Sequence, residues 1–223
     1  MAIFFNPNEN YLIVTNFKVM YGTLFRQNNL ILLPNKAVPF FLLRDRILFK
    51  KREKYLLVRC PYNKLVSFYM HKILFNKFQG SNIISEKSDF HWQDCQKIFF
   101  PYLNLSLKED NCKIGNKLAS LSFEDFVKIL PNVFKLDGHL WPQFWAFHVR
   151  WKRFPVMRIK FNKILPIEDK INFLKHDLKI NISIQANKTD HESYEKYFTP
   201  VSYEIVNELY KNDFLYFGYR THT

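Results

Sequence analysis

Cysteine is nearly absent: Cys60, Cys95 and Cys112 are too few and too scattered for a disulfide framework or a metal-ligand spacing, and they read as free thiols of a reducing compartment. No apolar run approaches the length of a membrane span, and no basic segment followed by an apolar core opens the chain. A soluble, cytoplasmic protein is therefore expected, with a luminal domain trimmed of its anchor as the alternative. Acids are in deficit, with 33 Lys and Arg against 20 Asp and Glu, a formal net charge of +13. That balance favours an anionic partner (a nucleotide, a sulfated or carboxylated glycan, nucleic acid or a membrane surface) without choosing among them. Glycine is scarce beside Phe, Ile, Lys and Asn, a compositional bias on which no function is built. What remains, 48% hydrophobic and 24% charged residues in 223, is a folded globular chain able to bury one core, expected as a single domain over residues 1–223.

The stretch from Tyr55 to Tyr69 organises the rest. Tyr55 to Val58 is a short apolar run of the kind that makes a buried strand, while Tyr62, Val66, Tyr69 and Ile73 recur at helical spacing. Pro61 suits a first helical turn, where its missing N–H has no intrahelical partner and its fixed φ already fits. The helix is expected to run to about Phe78. Arg59 falls at the strand's carboxyl end and Ser67 two turns into the helix, where open α/β sheets bind ligands. A guanidinium and a hydroxyl converging there suit a phosphate.

Earlier in the chain, Tyr11 to Thr15 is a second buried-strand candidate, followed by Lys18, Gly22 and Thr23. Gly22 can take tight-loop angles, Thr23 can begin a helix whose amides attract an anion, and Lys18 can reach the same anion. The G-x-x-x-x-G-K-[ST] spacing is missing, so, taken alone, this segment is better explained as an ordinary strand–turn–helix. Pro34 and Pro39 break the apolar run of residues 30–41 into a short strand and an extended edge. Residues 43–54 are strongly basic and read as a solvated face or a binding patch. Residues 79–116 are irregular and aromatic, as lids and substrate-binding segments often are. A helix opens at Ser122 and stops at Pro131, Phe154 to Phe161 alternates like a strand, and residues 166–175 read as a helix with acids early and lysine late. Thr199 caps the clearest helix, with Pro200 first and Val201, Ile205 and Leu209 on one face.

The two strand-to-helix junctions, taken together, resemble the paired cofactor motifs of sulfotransferases, closest to the carbohydrate (sulfotransferase family 2-like) type, which use 3′-phosphoadenosine 5′-phosphosulfate (PAPS). Lys18, Val19, Met20, Tyr21, Gly22 and Thr23 are similar to the family's Lys-[Val/Thr]-x-x-Thr-[Ser/Thr] loop for the 5′-phosphosulfate. The run Arg59-Cys-Pro-Tyr-Asn-Lys64-Leu-Val-Ser67-Phe-Tyr69 is similar, without a gap, to the 3′-phosphate motif Arg-[Asp/Asn]-Pro-Tyr-x-Arg-Leu-Val-Ser-x-Tyr. Phe123-Glu-Asp-Phe-Val, His139-Leu-Trp-Pro-Gln143 and the Tyr210-to-Tyr219 ending resemble further family segments, in family order. The resemblance implies a P-loop-like three-layer α/β fold with a central parallel sheet flanked by helices. It also implies PAPS as donor, no metal, and a carbohydrate hydroxyl as acceptor.

Under that resemblance Lys18 is the residue to neutralise charge on the leaving oxygen. Arg59, Lys64 and Ser67 would hold the 3′-phosphate, and His139 is the first candidate for general base. His71, Asp89 and His91 are runners-up. Trp92, Trp141, Trp145 and Trp151 read as core residues or sugar-stacking faces, and the basic segments around Lys50 and residues 150–153 could guide an anionic glycan. Departures from the family pattern are Phe17 before the loop lysine, Gly22 for a threonine, Cys60 for Asp or Asn, Lys64 for Arg, and Phe161 where many relatives carry a strand-end glutamate. Two other classes compete. A small-molecule kinase needs a full Walker pattern and Mg²⁺ ligands, neither of which occurs. A basic nucleic-acid-binding module predicts salt-sensitive oligonucleotide binding, and no nucleic-acid partner is expected on the sulfotransferase reading. A catalytically weak, glycan-binding relative is the remaining alternative, motivated by Gly22 and Phe161.

Overall fold

A computed structural model describes residues 1–34, 38–47, 52–74, 92–151, 154–183 and 193–223. Strand β1 (Ala2–Asn6) and strand β2 (Tyr11–Thr15) form a hairpin, because a connection this short can only return antiparallel. The turn is built by Asn6, whose Oδ1 accepts from the amides of Asn8 (3.0 Å) and Glu9 (3.1 Å), and by Asn10 at φ 55°. After helix α1 (Tyr21–Phe25), strand β3 (Ile31–Leu33) adds antiparallel to β1, and helix α2 (Val38–Ile47) crosses to strand β4 (Glu53–Val58), parallel to β2. A two-stranded ribbon, β5 (His148–Trp151) and β6 (Phe154–Arg158), precedes strand β7 (Lys163–Pro166), parallel to β4.

The sheet order is β3-β1-β2-β4-β7. The expected central parallel sheet is present across β2, β4 and β7, and β1 and β3 extend it by antiparallel pairing into a mixed sheet. All five residues of β2 are buried, as a central strand covered on both faces requires. Its side chains alternate. Tyr11 and Ile13 join Phe4, Tyr55 and Leu57 beneath Leu24 of α1 and Leu174, whereas Leu12 and Val14 join Ile3, Leu56 and Val58 beneath Val38 and Leu42 of α2 and Phe217. Helices therefore cover the sheet on both faces.

The described residues group into two compact units. The first comprises residues 1–60, 142–188 and 215–219, and holds the sheet; the second comprises 61–141, 189–214 and 220–223. In the second, helix α3 (Pro61–Phe68) begins at the proline named from the sequence and passes into a π-helical segment, Tyr69–Leu74. Its continuation toward Phe78 lies outside the described residues. Phe68, Phe99, Phe123 and Phe126 pack together, with centroids 5.5 to 6.3 Å apart in the contacting pairs. Tyr62, fully buried, is ringed by Tyr194, Phe198, Tyr203, Phe214 and His222. The helix Phe123–Val133 is capped by Ser122 as expected but runs past Pro131, which sits so near its end that few backbone bonds are lost. Thr199 and Pro200 open the helix Pro200–Leu209 with a reciprocal Thr199–Ser202 cap. No helix among the described residues is long and apolar enough to cross a membrane.

Candidate functional site

In the first unit, the chain leaving β2 is folded back on itself. The Thr15 hydroxyl donates to the carbonyls of Asn16 (3.2 Å) and Val19, and the Val19 amide donates to Asn16 O at 3.2 Å. Val19 is wholly buried, so the loop must bend on both sides of it, and Lys18 (φ 68°) and Met20 (φ 55°) adopt left-handed backbone angles. For residues with a Cβ each such angle costs about 1–2 kcal/mol, and strain of this kind collects where a loop is shaped for a ligand. The expectation had assigned the unusual angles to Gly22 and the helix start to Thr23. The structure instead places Gly22 inside α1, which begins at Tyr21. Leu24 is the first residue whose amide bonds in the helical manner, to Met20 O at 3.0 Å, and the amides before it precede the helix's own bonding. Thr23 is buried while Lys18, Met20 and Tyr21 are half-buried, so Val19 and Thr23 shape the loop through core packing and the others line it.

Arg59 immediately follows β4, one strand over from this loop. Its guanidinium Nη1 lies 3.4 Å from Lys18 O, a long hydrogen bond that joins the two predicted motifs at the carboxyl edge of adjacent parallel strands. Burial lowers the Arg59 pKa, opposed chiefly by the Glu168 carboxylate. Its backbone is tied down as well. Gln143, 1% exposed, accepts from Arg59 N (2.8 Å) and donates to Arg59 O (2.7 Å), and Glu168 accepts from Cys60 N (2.9 Å). Glu168 also accepts from the Tyr219 hydroxyl at 3.1 Å, and burial together with that carboxylate drives the Tyr219 pKa far up.

Sequence reasoning missed Glu168, assigning the strand-end carboxylate position to Phe161. Phe161 is a packing residue, its ring 5.3 Å from that of Phe147, and the carboxylate comes two residues after β7. The available signal is the short apolar run Ile164-Leu165 ahead of Pro166; the helix expected over residues 166–175 takes in Glu168 as one of its early acids, whereas the helix found is Ile171–His176.

In the second unit, Lys64 is fully buried rather than lining a donor site. Its Nζ donates to Trp141 O and lies 5.6 Å from the Tyr210 ring centre, and burial lowers its pKa to about 8 against the opposing charges of Asp213 and Asp137. Ser67 is 6% exposed on α3. His139 forms a dyad with Asp137, whose Oδ1 lies 2.7 Å from His139 Nδ1 and accepts from His139 N at 2.8 Å. Burial pushes the Asp137 pKa up, but the hydrogen bonds and charge of His139 outweigh it, and the carboxyl titrates below its ordinary range. An ionised Asp137 only accepts, so the Nδ1 that faces it is the donor in this pair. The same turn is held by Tyr210, which donates to Leu140 O at 2.6 Å.

Of the runners-up, His71 lies half-buried in the π-helical segment, and Asp89 and His91 fall outside the described residues, as do Lys50 and residues 152–153. Trp92 is a core residue, 4% exposed and donating to Asn111 at 2.8 Å. Trp141 donates to Lys135 O at 3.0 Å, Trp145 is half-buried, and the side chain of Trp151 is outside the description.

A sequence model of the sulfotransferase family matches residues 40–220, which includes Arg59, His139, Gln143 and Glu168 but not the loop at Lys18. No curated protein and no solved structure matches the chain.

Proposed function

The chain belongs to the sulfotransferase family, and we propose that it transfers a sulfuryl group from PAPS to a carbohydrate hydroxyl by in-line displacement. The observation that carries the donor assignment is the meeting of Lys18 and Arg59 at the ends of β2 and β4. That contact runs from the Arg59 guanidinium to the Lys18 backbone carbonyl, so the two loops adjoin, and a loop carrying an ammonium next to an arginine fork suits a ligand with two separated anionic groups. In this reading the loop of residues 18–23 takes the 5′-phosphosulfate and Arg59 takes the 3′-phosphate. Ser67 is assigned to the 3′-phosphate by the resemblance alone.

The acceptor oxygen attacks sulfur as the bond from sulfur to the bridging phosphate oxygen breaks, and the electron pair leaves on that oxygen, where the Lys18 ammonium offsets its charge. The acceptor's proton passes to a base, for which we take His139 on the strength of its oriented dyad with Asp137. Such transfer is mostly positioning and charge stabilisation. The basic net charge of +13 supports an anionic acceptor.

Calorimetry with 3′-phosphoadenosine 5′-phosphate, the donor's product, against AMP tests the donor assignment. Wild type should prefer the 3′-phosphorylated ligand by about 30-fold or more, the worth of a charge-assisted fork, and Arg59→Ala should erase that preference. Equal affinity for both ligands in the wild type sinks the sulfotransferase reading of the site and turns attention to oligonucleotide binding.

A further inference from the structure

We propose that Gln143 is a positioning residue that sets donor selectivity by fixing the backbone of Arg59, an inference that rests on the donor reading above. At the end of β4 the ladder is still regular at Val58, whose carbonyl accepts from Ile167 N at 2.9 Å. One residue later β7 no longer supplies a partner. The Gln143 side chain takes its place, its Oε1 on Arg59 N at 2.8 Å and its Nε2 on Arg59 O at 2.7 Å, and Glu168 continues the series on Cys60 N at 2.9 Å. Three consecutive residues are thus anchored by groups outside their own strand. A planar primary amide is the side chain that can mimic a strand neighbour in this way, offering one donor and one acceptor at fixed separation.

The consequence lies in direction. With both backbone groups of Arg59 held, its Cα–Cβ vector is fixed, and the guanidinium leaves the strand toward Lys18 O rather than sweeping through solvent. Arg59 would discriminate a 3′-phosphate only while its fork is pre-placed, because a mobile arginine loses to ordering entropy much of what the ion pair supplies. Gln143, 1% exposed, cannot itself reach a ligand in solution, so its effect has to pass through Arg59.

The test compares wild type, Gln143→Met, which is close in volume but lacks both hydrogen-bonding groups, and Gln143→Asn, which keeps the amide one methylene short. Calorimetric affinities for 3′-phosphoadenosine 5′-phosphate and for AMP are measured beside the thermal transition of each protein. The expected result is at least about a tenfold fall in the ratio of the two affinities for Gln143→Met, with AMP affinity held within about twofold. In an Arg59→Ala background the same substitution should leave the ratio unmoved. If Gln143→Met does not fold, Gln143→Asn carries the test with the same expected direction. A ratio unchanged from wild type, or equal loss for both ligands, overturns the inference and leaves Gln143 as a strand-end brace. A wild type without preference for the 3′-phosphate removes the donor reading itself and this inference with it.

Discussion

Lys18 combines strain and chemistry in one residue. Its φ of 68° is a conformation that glycine adopts freely, so Lys18→Gly should raise the unfolding free energy by about 1 kcal/mol while abolishing sulfuryl transfer, whereas Lys18→Ala should abolish transfer without the gain. Chemical denaturation beside a turnover assay checks both, and a Lys18→Gly variant no more stable than Lys18→Ala would show that the loop bears no such strain. Lys64 makes a different point. Its position in the motif made it look like a ligand-binding cation, and nothing local in the sequence says that a motif lysine is buried, since burial is a tertiary property. With a folded pKa of about 8 against an ordinary 10.5, the folded protein sheds this proton in a range where the unfolded chain keeps it. The unfolded state then binds more protons, so stability rises with pH from about 8 toward 10. Above that the sign reverses. Tyr69, pushed up to about 12 by burial, and Tyr210, raised further still, stay protonated in the fold while the unfolded tyrosines ionise. Urea midpoints from pH 7.5 to 11 should therefore pass through an alkaline maximum, and the rising limb should vanish in Lys64→Met.

At the scale of elements, the turn from Asp137 to Trp141 holds His139, the base of the proposed mechanism, from several sides. Tyr210 holds Leu140 O, Lys64 holds Trp141 O, and Asp137 holds both the backbone and the ring of His139. Asp137→Asn keeps the size of the side chain but removes the charge that orients the imidazole, so kcat should fall by roughly 10²-fold or more with affinity for 3′-phosphoadenosine 5′-phosphate intact. The depressed Asp137 pKa also has a stability consequence: its contribution is complete above the unfolded carboxylate value and is lost as pH falls through the lower folded one. The acid limb of the stability curve should accordingly flatten in Asp137→Asn. Junctions were the legible elements, because β2, β4 and the start of α3 carry their own signals: an unbroken apolar run, and a proline where a helix can accept it. Neither β1 nor β7 is assigned as a strand from the sequence, since four or five residues give no period to count, and only pairing with a neighbour makes them strands. Glu168 falls among the early acids of the helix expected over 166–175, and the Gln143 clamp could not be read at all, because residues 84 positions apart meet only in the fold.

For the whole molecule, the decisive quantities are connectivity and charge. Each unit is assembled from separate stretches of chain, the first from residues 1–60, 142–188 and 215–219. The strand carrying Arg59 therefore finds its partner β7 and its clamp Gln143 only after the chain has passed through residues 61–141, and a fragment ending at Cys60 lacks both. The family match, beginning at residue 40, likewise covers Arg59 while leaving the Lys18 loop to rest on its own geometry. Charge acts at longer range. A net +13 spread over 223 residues gives a field that accelerates and strengthens encounter with polyanions and is cut back by salt, the Debye length shrinking from about 10 Å at 0.1 M to 3 Å at 1 M. A neutral sugar gains nothing from that field. If the acceptor is an anionic glycan, KM for a uronate-bearing polysaccharide should climb steeply as NaCl is raised while kcat stays level, because screening weakens encounter and leaves the reacting groups as they were. A neutral oligosaccharide assayed in parallel controls for the charged donor, whose binding responds to salt in both series. Equal salt dependence for the two acceptors would assign the positive charge to donor binding alone and remove the argument for an anionic acceptor.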